Sequence, residues 1–177
     1  WSLFFEYIGN IVYALVLRRL TTKILALLTV VLGVLHAWFF IGDIAQYNSV
    51  GVGWTIDEIN FWGGMVRMLF PFTVGMLLAR TIKPGKIKGT FWICTLLLVL
   101  SFAMPYLGDA EGVSVNSLYE VGCIIVLFPA IIWLGASGCC NHSSRKISKF
   151  LGDISYPLYI VHYPIMYVFY KWLIKEE

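Results

Sequence analysis

The chain has 177 residues, of which 59% are hydrophobic, 16% aromatic and only 13% charged, and its mean hydropathy is +0.80. A disordered chain needs low hydrophobicity and high net charge, and a soluble domain carries roughly a quarter of charged residues to clothe its core, so both are excluded. The net charge of +3 comes from 13 basic and 10 acidic residues and forms no basic face of the kind nucleic acid requires. What remains is an all-α polytopic transmembrane helix bundle whose first partner is the lipid bilayer.

Crossing a bilayer takes about 20 mostly apolar residues in a helix, and six runs reach or approach that length. The first is Trp1–Leu17. It opens on Trp without a basic leader, so the chain is expected to be part of a longer protein. Within it Ser2, Glu6, Asn10 and Tyr13 stand at i, i+4, i+8 and i+11, which stacks them on one face, and Gly9 beside them lets another helix approach. The stripe is either a hydrogen-bonded helix contact or one wall of a polar cavity.

The second run, Ile24–Gly42, carries no formal charge and holds His36 six residues from its end. The stretch from Asp43 to Asn60 is the longest connection; with Gly51, Gly53 and Trp54 it is either a cover over an outward-facing cavity or an ordinary connector. The third run, Phe61–Ala79, carries Gly63, Arg67, Pro71 and Gly75 at steps of four. Arg67 lies roughly 9 Å below the outer end at 1.5 Å per residue, near the depth of Glu6 and His36, so the three are expected to share a layer. That layer is either an Arg–Glu latch or a site for an anionic or hydroxyl-bearing substrate, for which Arg offers a fixed fork of donors. Pro71 is expected to kink the helix.

The fourth run, Thr90–Leu107, is uncharged, and the fifth, Leu118–Gly138, has Glu120 near its outer end, read as a solvated terminus. The sixth, Phe150–Ile174, places Ser155, Tyr159 and His162 at i, i+4 and i+7 on one face. An ionisable group inside a membrane needs a partner or a role; His162 shares its face with two hydroxyls and lies between Pro157 and Pro164, which favours function over a core contact. Lys149 and Asp153 read as a surface pair. The four cysteines, Cys94, Cys123, Cys139 and Cys140, form no metal pattern and no expected disulfide, and no metal site is expected.

The loops set the topology. Arg18, Arg19 and Lys23 follow the first run, Arg80, Lys83, Lys86 and Lys88 the third, and Arg145, Lys146 and Lys149 precede the sixth, with no acid among them. The two intervening loops hold Asp43, Asp57, Glu58, Asp109 and Glu111 and no Lys or Arg. Basic loops stay cytoplasmic, so the segments after Leu17, Ala79 and Gly138 are predicted to face the cytoplasm. That places the Asn141-His142-Ser143 sequon on the wrong side for glycosylation. No GxSxG, GxGxxG, P-loop or HExxH motif is present, and no spacing argues for a Ser-His-Asp triad.

Three stretches carry a resemblance. Trp1-Ser2-Leu3-Phe4-Phe5-Glu6, followed by Asn10 and Tyr13, resembles the WSLxxE helix of the membrane acyltransferase-3 family. Phe61-Trp62-Gly63-Gly64-Met65-Val66-Arg67 through Gly75-Met76-Leu77-Leu78 resembles its next outer-facing helix. Leu151-Gly152, Ser155-Tyr156-Pro157-Leu158-Tyr159 and His162-Tyr163-Pro164 are similar to its final helix. The resemblance covers essentially all of residues 1–177, as the C-terminal part of one integral-membrane acyltransferase domain.

It implies a bacterial inner-membrane enzyme of about ten helices that moves an acyl group, often acetyl, from cytoplasmic acyl-CoA to a hydroxyl of an envelope sugar or polysaccharide. No bound cofactor is implied; acyl-CoA is the donor substrate and an envelope glycan the acceptor. The family's catalytic histidine lies on its first helix and has no counterpart here, so no catalytic residue is carried over and the fragment alone is expected to be inactive. Trp1, Glu6, Asn10, Arg67, Ser155, Tyr156, Tyr159 and His162 are carried over as binding or supporting residues. Two rivals stay open on the residues alone. One is a transporter or flippase fragment, since intramembrane Glu, Arg and His suit a proton-coupled carrier, although no inverted repeat is visible. The other is a non-catalytic membrane scaffold.

Overall fold

A computed structural model of the chain describes all residues except 1, 43, 45–48, 56, 84, 86, 111–112, 140–141 and 176–177. The fold is all-helical. Helix α1 spans Ser2–Leu15 and passes through a short 3-10 turn at Leu17–Arg19 into α2, Thr22–Ile41, whose first turn is capped by the Thr21 hydroxyl accepting from the Ile24 N–H at 3.4 Å. Helix α3, Glu58–Thr81, runs on through Pro71. Helix α4 covers Thr90–Phe102 and stops short of the Leu107 expected from hydropathy. Met104 precedes Pro105, and a residue before proline is pushed out of the helical region.

Helices α5, Val115–Gly122, and α6, Phe128–Ala136, join through a π turn at Cys123–Leu127 into one continuous helix. Pro129 has no N–H for the carbonyl four residues back. The backbone takes up the misfit just before it, where the Phe128 N–H donates to the Cys123 carbonyl five residues back. Helix α7, His142–Lys175, begins eight residues before the apolar run and contains Pro157 and Pro164. Two-residue pairings, Ile87–Lys88 (β1) with Gly138–Cys139 (β4) in parallel and Asp109–Ala110 (β2) with Val113–Ser114 (β3) antiparallel, are the strands among the described residues.

Among the described residues, three helices have the length and apolar content to cross a membrane: Thr22–Ile41, Glu58–Thr81 and the composite Val115–Ala136. Helix α4 is apolar but has 13 residues, and α1 has 14, about 20 Å each at 1.5 Å per residue.

Close helix contacts form where a side chain is missing. A Cβ on Gly33 of α2 would stand 2.9 Å from the Phe70 ring of α3, and one on Gly63 would meet Val52 and the Phe39 ring. Helix α1 lies on α3 in the same way, with Phe5 over Gly64 and Met68 over Gly9. Small residues at such crossings let backbones approach, which is how helices gain contact in lipid. Phe39, Phe40, Val52 and Val121 form the core, with Ile59, Val66 and Ile125 packed around them.

The loops sort by end. Arg80 at the end of α3 donates to the Leu20 carbonyl at 2.6 Å and to the Leu17 carbonyl at 3.4 Å. The β1–β4 pairing brings the α3–α4 loop to the α6–α7 loop. The three basic loops therefore gather at one end of the bundle. At the other end the α2–α3 loop is bonded to α5 through Glu120.

A cleft under the loop between α2 and α3

The α2–α3 loop is built from α3 upward. Asp57 caps α3, accepting the Asn60 N–H at 3.0 Å, and its carboxylate also takes the Asn60 amide at 2.8 Å. Thr55 donates to the same carboxylate. The Thr55 hydroxyl, with the Asn60 N–H second, holds the Asp57 carboxyl below the ordinary carboxylate range. Asn60 is buried, and its side-chain oxygen accepts the Gly53 N–H at 2.9 Å and the Trp54 N–H at 3.4 Å. Gly53 has φ of +99°, a conformation open to glycine, and a Cβ there would press on the Gly64 backbone at 3.2 Å. Asn60 and the two glycines thus lay the loop flat across α3.

Under this loop lies an open-sided cavity of about 620 Å³. Gly51, Val52, Gly53 and Trp54 form one wall, Arg67 of α3 and Leu3 of α1 another, and Tyr159, Ile160, His162 and Pro164 of α7 the third. A smaller recess of about 200 Å³ adjoins it, shares Val52, Gly53 and Arg67, and adds Glu6 and Phe5 of α1 with Gly64 and Met68 of α3.

Arg67 donates one N–H to the Val52 carbonyl at 3.0 Å. A guanidinium has five donors, so this bond anchors the group and leaves others for the cavity. Glu6 accepts the Tyr159 hydroxyl at 2.8 Å, which ties α7 to α1 across the whole length of the chain. His162 lies with Nδ1 2.6 Å from the Tyr159 carbonyl. A carbonyl only accepts, so Nδ1 donates in this contact. Pro164 has no N–H, so the Ile160 carbonyl in the cavity wall has no helical donor four residues on.

Of the residues singled out by sequence, the structure brings four together: Arg67, Tyr159 and His162 in the cavity wall, and Glu6 through its bond to Tyr159. The Asn10 amide donates to the Glu6 backbone carbonyl at 2.9 Å, and the Ser155 hydroxyl to the Gly152 carbonyl at 2.8 Å. Both bonds stay within their own helix. Tyr156 is 65% exposed and outside the cavity wall. Trp1 falls outside the described residues.

Of the expected layer, Glu6 and Arg67 line one recess, and His36 lies outside it. Among the described residues no ion pair joins Glu6 to Arg67, because the guanidinium turns to the loop carbonyl and the carboxylate to Tyr159. His36 is fully buried, with its ring centre 4.8 Å from Phe40 and 5.7 Å from Phe70, and it does not line the cavity. The ring faces the α2–α3 seam, where Gly33 and Phe70 meet.

Asn60, the Val52 carbonyl and Glu120 are the participants that sequence reasoning missed. Asp57 three residues before Asn60 is a readable cap signal, but Asn60's reach back to the loop is a tertiary contact. Glu120, read as a solvated helix end, accepts the Val50 N–H at 2.7 Å and the Asn116 amide at 2.9 Å.

Compared with known proteins, residues 1–176 match the family model described as "Acyltransferase domain". No curated protein and no solved structure gives a significant match to the chain.

Proposed function

The chain belongs to the acyltransferase-3 family, and from that premise we propose that it is part of an integral-membrane O-acyltransferase. The reaction moves an acyl group, often acetyl, from cytoplasmic acyl-CoA to a hydroxyl of a cell-envelope sugar or polysaccharide. The six helical runs all span the bacterial inner membrane, with the basic loops in the cytoplasm, as the charge asymmetry favours. These residues are the C-terminal part of the acting enzyme, and the catalytic histidine that the resemblance implies belongs to an earlier helix.

The observation that carries this reading is the cleft in which Arg67, Tyr159 and His162 converge, with Glu6 bonded to Tyr159. Acyl transfer from a thioester to an alcohol needs a base for the hydroxyl proton and donors for the oxyanion that forms on the carbonyl. Arg67, anchored by Val52, presents a fixed cation and spare N–H donors to an acceptor. The Ile160 carbonyl offers an acceptor for its hydroxyls, and the His162 ring lines the same wall. In this account the cleft residues bind and orient the acceptor. Trp54, 55% exposed in the wall, gives a sugar ring an apolar face to lie on.

The test places Glu6→Gln or Arg67→Met in the full-length protein and follows transfer from radiolabelled acetyl-CoA to envelope glycan. Loss of an interaction to a charged group of about 1.5–3 kcal/mol corresponds to a fall of about tenfold or more in acceptor turnover. Wild-type turnover at normal membrane expression would remove both residues from the acceptor site.

A further inference from the structure

Glu120 lies on α5, outside the cavity, yet three consecutive hydrogen bonds connect it to Arg67. Its Oε2 accepts the Val50 N–H at 2.7 Å. The Val50 carbonyl accepts the Val52 N–H at 2.9 Å, a tight turn that makes the two residues move together. The Val52 carbonyl accepts the Arg67 guanidinium at 3.0 Å. The other carboxylate oxygen, Oε1, accepts the Asn116 amide at 2.9 Å, one turn earlier on the same helix, which fixes the side chain's direction.

A charged group in a spanning helix requires partners. Among the described residues Glu120 has no cationic one, and both oxygens are committed to N–H donors. A carboxylate accepting a backbone N–H makes a stronger bond than a neutral acceptor. It is spent on the one segment of loop that carries the carbonyl beneath Arg67.

We propose that Glu120 is a positioning residue for the cleft: its carboxylate sets the loop backbone at Val50 and, through Val52, the place of the Arg67 guanidinium. Its bearing on catalysis rests on the reading of the cleft as the acceptor site, but its effect on Arg67 does not.

The experiment therefore has readouts that need no substrate. In the full-length protein in lipid nanodiscs, hydrogen–deuterium exchange reports the loop. Phenylglyoxal labelling, read by mass spectrometry, reports Arg67, with Arg80 at the opposite end as internal reference. In Glu120→Ala, exchange at 50–54 rises about tenfold, the equivalent of one charge-assisted hydrogen bond. Arg67 labelling changes several-fold and Arg80 labelling stays level. Glu120→Gln, whose amide oxygen still accepts the Val50 N–H, returns both toward wild type. Unchanged Arg67 labelling alongside a loosened loop would overturn the proposal, as would an equal change at Arg80, which signals general loosening.

If Glu120→Ala does not fold, Asn116→Ala frees the carboxylate to swing and moves Arg67 labelling in the same direction by a smaller factor; no movement there overturns the proposal equally. Acetyl transfer measured on the same variants separates the two readings. A wild-type protein without transfer would strike the proposed reaction and leave the Glu120 result standing, and Arg67 disturbed with full transfer would strike Arg67's part in the acceptor site while the positioning of Arg67 by Glu120 stands.

Discussion

Asp57 gathers three donors on one exposed carboxylate: the Thr55 hydroxyl, the Asn60 backbone and the Asn60 amide. Those bonds favour the ionised form and hold its pKa below the ordinary carboxylate value. A carboxyl whose folded pKa is depressed contributes stability that is full above its unfolded pKa and is lost as pH falls through the folded value. Acidification below about pH 4 is therefore expected to loosen the start of α3 and, through Asn60, the backbone at Gly53 and Trp54. Exchange rates at 50–60 in detergent, followed against pH, measure this. Asp57→Asn keeps a capping side chain that does not titrate, so its profile is expected to be flat where the wild type rises; parallel profiles would count against the linkage. At this scale the sequence was partly legible. Arg67, Tyr159, His162 and Glu6 stand out as polar groups in apolar helices, and the structure assembles them. Their bonds were not legible, because Arg67 and Glu6 choose a loop carbonyl and a tyrosine hydroxyl over each other, and such choices depend on loop geometry that no helical spacing encodes.

Helix α3 shows how an element makes room for the site. Its Gly63 and Gly64 form a bare patch. Phe5 of α1 lies on one side of that patch and Val52 and Gly53 of the loop on the other. A side chain at Gly64 enters the space of the Phe5 ring, which is buried. Gly64→Val is therefore expected to destabilise the protein by about 1–3 kcal/mol through overpacking and to lower its melting temperature in detergent. Phe5→Leu in the same chain should restore part of the loss by vacating the ring's volume. Failure of that rescue would mean that the loop, and not α1, meets the new side chain. Hydropathy located the helices but not their ends. Helix α4 stops before Pro105, which bars the preceding residue from the helical region, and α7 starts in the polar segment before Phe150. Periodicity was hidden in the composition and reappears in burial. On α2, Leu25, Thr29, Gly33, His36 and Phe40 are buried while Leu27, Val30, Val34 and Trp38 are exposed. In lipid both faces are apolar, so hydropathy alone does not separate them.

At the scale of the molecule, charge and contact agree on which loops share an end. The three basic loops are joined by Arg80 and by the β1–β4 pairing, and the α2–α3 loop is joined to α5 by Glu120. The charge pattern was legible from sequence because the positive-inside rule acts on loop composition, whereas the contacts that hold the loops together go to backbone carbonyls and N–H groups, which carry no sequence signature. The family match favours a transferase over the carrier reading that intramembrane Glu, Arg and His also suited. A reaction whose donor is cytoplasmic and whose acceptor is in the envelope requires the cleft and the basic loops to open on opposite faces. The cleft's roof is the α2–α3 loop, so its side of the membrane decides whether the cleft serves the acceptor. Single cysteines at Arg19, Lys83 and Lys149, in a cysteine-free background, are expected to react with a membrane-impermeant maleimide only after the cells are opened. A cysteine at Thr55 is expected to react in intact spheroplasts. Labelling of all four from one side would contradict the alternating topology. The reverse pattern would keep the topology but turn the cleft toward the cytoplasm, where acyl-CoA and not the glycan would meet Arg67.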